Sequence, residues 1–219
     1  MTIAERVTFP SSAGDASGVL VTPAGGGEPP GIVVLREWWG VNEQIQSVAQ
    51  RFAEAGFVAL VPDLYHGQLA KDAEEAGRML QALDRGKAVQ EIAGAVAFLR
   101  ERSNGKVAVT GYCLGGALSF ASAVHIRGLA AVVTYYGPPG DLDWSKVDAP
   151  IQAHFAKHDT WATVADAQKA KAAITTPMEL HIYDAQHAFA NDRRPEVYNP
   201  EAAKQAWNHA LTFLRSHTA

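Results

Sequence analysis

The chain has 219 residues, of which 47% are hydrophobic and 19% charged, a composition that excludes a disordered polymer and suits one sheet-centred domain spanning 1–219. Nineteen basic residues against 23 acidic ones give a formal net charge of −4; with no block of Lys and Arg to follow a phosphate backbone, nucleic-acid binding is not expected. The one cysteine, Cys113, excludes an intrachain disulfide and a multi-cysteine zinc site.

The opening M-T-I-A-E-R-V-T-F carries no apolar leader core. No apolar run approaches the roughly 18 residues of a spanning helix. A soluble, cytoplasmic chain without a membrane partner is therefore expected, as a monomer or small homo-oligomer.

Val19–Val21 is a short apolar run after a Gly-bearing segment and reads as an edge strand. Ala24–Pro30 (A-G-G-G-E-P-P) reads as a turn. Gly31–Leu35 is a continuous apolar run, the pattern of a strand buried on both faces. Asn42–Ala55 follows helical period and stops at Gly56. Phe57–Val61 is the next buried strand, closed by Pro62-Asp63. Ala70–Leu83 and Lys87–Arg102 read as helices. Val107–Thr110, Ala130–Tyr135, Ile151–Ala156 and Met178–Tyr183 read as strands. Ala117–Val124, Thr163–Ala173 and Pro200–Ser216 read as the helices between and after them. Strands alternating with helices imply right-handed crossovers and a mostly parallel central sheet with helices on both faces. Ligands bind such sheets beyond the carboxyl ends of the strands.

The strongest chemical signal is V-A-V-T-G-Y-C-L-G-G, Val107–Gly116. A β-branched strand runs into G-Y-C-L-G and then into a helix of small residues. This is the nucleophile elbow, with Cys113 at the position usually held by Ser. Gly111, Gly115 and Gly116 relieve crowding at the strained turn. The helix start behind Cys113 favours a thiolate, and the amide of Leu114 is placed to receive an oxyanion. The blander reading is a tight turn carrying a packed thiol; the agreement of strand, turn and helix argues against it.

An elbow nucleophile needs a base and a group to orient it, in the chain order nucleophile, acid, His. Asp159 follows Ile151–Ala156 in K-H-D-T, and His187 follows Met178–Tyr183 in D-A-Q-H-A-F. Both sit past strand ends, the correct edge of the sheet. Asp184, three residues before His187, is the rival acid, and His158 the rival base. Arg36-Glu37-Trp38-Trp39 follows an early strand, which supplies the second oxyanion donor in this fold, here the amide of Trp38. A Glu37 carboxylate near the thiol would oppose its ionisation until substrate displaces it; alternatively Glu37 is a surface carboxylate paired with Arg36. Trp38 and Trp39 read as a pocket wall or as core.

These motifs together resemble the dienelactone hydrolase family of α/β-hydrolases: R-E-W-W-G-V-N, V-P-D-L-Y, N-G-K-V-A-V-T-G-Y-C-L-G-G-A-L, the Y-Y-G turn, H-D and H-A-F, over residues 31–190. The resemblance implies an α/β-hydrolase fold, a triad of Cys113, His187 and Asp159, and a gating role for Glu37. It implies a small-molecule ester or lactone substrate and no cofactor or metal. The family's best-known members bind a substrate carboxylate with two arginines. Alignment puts Asn191 and Ala73 at those places, with Arg78, Arg193 and Arg194 displaced from them. Less preference for anionic lactones follows.

Two other classes compete. Amidotransferase-like and glyoxalase-like enzymes also place Cys on a strand-to-helix elbow, but no H-x-E follows it here and the order Cys, Asp, His differs from theirs. A non-catalytic α/β-hydrolase relative that binds a ligand or partner would lack a triad member, and none is missing.

Overall fold

The computed structural model describes residues 2–25 and 27–219. Gly26, inside the expected turn Ala24–Pro30, lies outside the described residues. Two compact units follow one another along the chain, Met1–Ala108 and Val109–Ala219. Among the described residues there are eight strands and six α-helices, an α/β fold with mostly parallel strands.

The first unit contains β1 (Ile3–Ser11), β2 (Gly14–Thr22), β3 (Gly31–Leu35), α1 (Glu43–Glu54), β4 (Val58–Pro62), α2 (Ala73–Ala82) and α3 (Arg85–Arg100). Its strands lie in the order β1-β2-β4-β3. β1 and β2 form an antiparallel hairpin, β2 runs antiparallel to β4, and β4 is parallel to β3. The apolar run Val19–Val21 is therefore the inner part of β2, flanked on both sides, and β1 is the edge. In β1 only Phe9 is buried. An edge strand that keeps one side chain in the core has no apolar run to announce it. Asp72 and Asp84 accept hydrogen bonds from Glu75 N and Lys87 N. Those caps start α2 and α3 two or three residues away from where hydrophobic period alone puts them.

The second unit takes up β5 (Val107–Tyr112) from its third residue onward, then α4 (Leu114–His125), β6 (Val132–Tyr135), a 3₁₀ turn (Trp144–Lys146), β7 (Ile151–Ala156), α5 (Val164–Ala173), β8 (Met178–Tyr183) and α6 (Pro200–Thr218). β5, β6, β7 and β8 are neighbours in that order and all parallel. Each parallel neighbour requires a crossover, supplied by α4 and α5 and, between β6 and β7, by a loop with the 3₁₀ turn.

The register places rings opposite rings. Tyr112 pairs with Tyr135, Tyr135 with His154, and His154 with His181. Strand spacing of about 4.8 Å is close to a stacking distance. The rings accordingly stack at centroid separations of 4.5, 4.5 and 5.3 Å, and His209 on α6 continues the ladder at 4.3 Å from His181. Alternation sends the neighbouring Thr134 to the opposite face, where its hydroxyl donates to Gly116 O on α4.

Hydrogen bonds fix the protonation of this ladder. Glu179 can only accept, so Gln152 presents its amide nitrogen to it at 2.6 Å and its oxygen to His154 Nε2 at 3.0 Å. His154 Nε2 thus carries the proton, and Nδ1 accepts from the Tyr183 hydroxyl at 2.9 Å. The Tyr183 oxygen in turn accepts from His209 Nδ1 at 3.3 Å. Burial, then repulsion from His181 and His209, holds His154 well below the usual imidazole range. In the unfolded chain the same imidazole takes up a proton from about pH 6.5. Below that pH the unfolded state binds the extra proton and the folded state does not, so stability falls as pH falls. Thermal melts from pH 7.5 to 4.5 should show a decline setting in near pH 6.5, and a shallower one in His154→Asn.

Candidate active site

Cys113 sits between the end of β5 and the first residue of α4, with φ 57° and ψ −114°. This is a strained conformation for a residue with a side chain. It is held by the Cys113 N–H, which donates to Tyr135 O at 3.0 Å, and by its carbonyl, which accepts from Ala117 N at 3.1 Å. The turn closes only because side chains are missing around it. A Cβ at Gly111 would lie 2.1 Å from Gly115 O, and one at Gly116 would lie 2.6 Å from Tyr135 O. α4 therefore starts directly at Leu114, three residues earlier than its apolar pattern suggests, and its first-turn amides are left facing the thiol end of the strand.

His187 follows β8. Its Nε2 lies 3.2 Å from Cys113 Sγ and its Nδ1 lies 2.5 Å from Asp159 Oδ2. Asp159 follows β7, and its carboxylate is held independently of His187. Its Oδ1 accepts from Trp161 N at 2.8 Å and from Ala162 N at 3.0 Å. Burial opposes the charge on Asp159; the bonds from His187 and from the Ala162 and Trp161 amides outweigh it and bring its pKa below the usual value. The acid is therefore ionised at neutral pH and oriented toward Nδ1, which leaves Nε2 to accept a proton from the thiol. The rival acid Asp184 instead bonds His158, at 2.6 Å on the surface. His158 and Asp184 thus occupy one another, apart from Cys113, His187 and Asp159.

Two aromatic rings bracket the His187 imidazole edge to face. Tyr136, fully buried and at φ 38°, has its centroid 5.1 Å from that of His187. Trp161 lies at 5.2 Å with an interplanar angle of 85°, and is 44% exposed. Neither ring stands out as a site residue in the sequence, since a lone loop Trp has no spacing to read.

The remaining expected site residues are placed as follows. Glu37 is buried just past β3, and Arg36 is more deeply buried still, so they are not a surface ion pair. Arg36 Nη1 donates to the Glu37 carbonyl at 2.8 Å, and its guanidinium lies 3.4 Å from the centre of the Tyr65 ring. Desolvation lowers its pKa, against the influence of Tyr65 and Asp63. Trp38 and Trp39 are half-buried and meet edge to face at 5.3 Å. Arg78 is exposed on α2 and bonds Glu74 at 2.5 Å. Asn191 is buried, and its side chain accepts from the backbone N–H of the exposed Arg193 at 3.0 Å. Among the described residues no three His, Cys, Asp or Glu side chains converge as a metal site, and no helix is long and apolar enough to cross a membrane.

A model of the dienelactone hydrolase family matches residues 16–218. The chain belongs to the dienelactone hydrolase family. It is 32% identical to protein usf of Aquifex pyrophilus, over 97% of this chain and 98% of that one. It is 30% identical to a carboxymethylenebutenolidase of a Pseudomonas species, over 97% and 95%. A solved Klebsiella pneumoniae structure superposes with a TM-score of 0.90 at 24% identity, covering 98% of this chain and 99% of that one. The family's α/β-hydrolase fold and hydrolase class therefore apply to this chain.

The glycine contacts generate a paired prediction. Gly116→Ala should destabilise the protein by about 1–3 kcal/mol, because the new methyl would meet the backbone of Tyr135 and Gly137, which cannot swing aside as a side chain can. Gly77→Ala, mid-helix in α2 with nothing within 4 Å of the added carbon, should stabilise by roughly 0.5–1 kcal/mol. Urea unfolding of both variants beside the wild type checks the signs.

Proposed function

We propose that this chain is a cysteine-dependent hydrolase of carboxylic ester or lactone bonds, working as one catalytic domain over 1–219. The observation that carries the reading is the continuous line of contacts from Asp159 Oδ2 through the His187 imidazole to Cys113 Sγ. His187 Nε2 takes the thiol proton as sulfur attacks the substrate carbonyl. The negative charge moves to the carbonyl oxygen, which the Leu114 and Trp38 amides receive. Collapse breaks the C–O bond, and the His187 Nε2 proton passes to the leaving alkoxide, giving a thioester and an alcohol. Water, deprotonated by His187, then attacks the thioester, and the acid and free thiol are released. Asp159 stays ionised throughout and stabilises the imidazolium. The Pseudomonas relative's name supports a lactone or enol-ester substrate.

The same reading favours neutral substrates. Asn191 and Ala73 stand where the family's arginines would receive a carboxylate, and Arg78 is tied to Glu74 on the surface. A carboxylate entering such a site loses its hydration without gaining a bidentate cation.

With p-nitrophenyl acetate as substrate, Cys113→Ala should leave only background hydrolysis and form no acyl adduct by intact mass. His187→Ala should lose about 10²–10⁴-fold in kcat, and Asp159→Asn a similar or smaller factor. Asp184→Asn, whose side chain pairs with His158, should stay near wild type. Asp184→Asn proving more damaging than Asp159→Asn would overturn the assignment of the acid.

Glu37 serves in this reading as the group that keeps the resting thiol neutral. Its burial and its place in R-E-W-W-G support that role. Removing the carboxylate removes a cost of forming a second negative charge. Glu37→Gln should therefore raise the iodoacetamide alkylation rate of the free enzyme while lowering turnover. Equal alkylation across pH in both proteins would exclude it.

A further inference from the structure

We propose that Trp161 selects the leaving group, and that the side chain best received there is a flat, apolar alcohol. This inference deepens the hydrolase reading and rests on it. In that mechanism His187 Nε2 must hand its proton to the leaving oxygen, so the departing group has to lie against His187 when the C–O bond breaks. The imidazole is bracketed on two sides. Tyr136 is fully buried, rests on Phe189 at 5.3 Å and touches no solvent, so it positions the ring. Trp161 is the other bracket, and it is 44% exposed. A large apolar surface beside the proton donor, left open to water, gains free energy when an apolar group covers it.

The loop separates two tasks on one residue. The Trp161 backbone N–H donates to Asp159 Oδ1, together with that of Ala162. The indole itself makes its ring contact with His187. Replacing the side chain leaves both amides in place, so the carboxylate keeps its backbone donors. The side-chain contribution can therefore be measured without dismantling the acid.

The test compares kcat/KM for benzyl acetate and ethyl acetate, which share an acyl group and differ in the bulk of the leaving alcohol. For a given ester kcat/KM reports steps up to acylation, where that alcohol departs. Trp161→Ala should lose at least about tenfold on benzyl acetate and less than about threefold on ethyl acetate. Trp161→Phe should recover most of the benzyl preference. Cys113-dependent hydrolysis with an unchanged benzyl-to-ethyl ratio in Trp161→Ala overturns the proposal alone; a parallel fall on both esters does the same, because it makes Trp161 only a support for His187. Hydrolysis of neither ester by the wild type, or hydrolysis that survives Cys113→Ala, overturns the functional reading and this proposal with it.

Discussion

The close approach of β5, α4 and the turn after β6 sets the terms for everything at the catalytic end of the second unit. Gly111, Gly115, Gly116 and Gly137 lie within it. A carbon added to Gly137 would sit 2.2 Å from the Gly116 carbonyl carbon, and one at Gly111 would meet Gly115 and the Ser119 hydroxyl. Absence of volume at these points allows the chain to reverse within one residue. The residue at the reversal then carries its side chain outward on a strained backbone, and the next amides begin a helix. The placement of the thiol and the helix start directly behind it are thus consequences of a single packing condition.

The ring ladder complements that condition from the other face. Tyr112 immediately precedes Cys113, Tyr135 precedes Tyr136, and His181 lies six residues before His187. β7, which bears His154, ends three residues before Asp159. Every strand that delivers a site residue in this unit therefore contributes a ring to the stack. A slip of one residue in any strand would turn its ring to the opposite face and displace the loop it feeds. Precision at the triad is in this sense a property of strand register, fixed well below the loops themselves.

Much of this was legible in the residues because parallel strands buried on both faces read as unbroken apolar runs. β3 lies where such a run predicts, β7 and β8 lie at the expected residues although Gln152, His154, Glu179 and His181 interrupt them, and the order Cys113, Asp159, His187 follows from strand ends alone. What escaped reading has physical causes. β1 hides because only Phe9 enters the core. Sequence distance alone favours Asp184 and strand-end order favours Asp159; what holds each carboxylate in place is what the residues do not show. Backbone amides from Trp161 and Ala162 hold Asp159, while His158 engages its rival. The orientation of Arg36 also eludes prediction, since an arginine beside a glutamate ordinarily reads as a surface pair.

The hydrogen bonds from Glu179 through Gln152, His154 and Tyr183 to His209 run in one direction, each group donating or accepting in only one way. Such a chain has a consequence for how the sequence can drift. Exchanging Gln152 for Glu, or Tyr183 for Phe, leaves a buried nitrogen or oxygen facing a group of the wrong polarity, at a cost of about 1–3 kcal/mol. Replacing two or more neighbours together can restore the match. These positions, spread across β7, β8 and α6, should therefore change in concert across lineages, as one inherited unit separate from Cys113, Asp159 and His187.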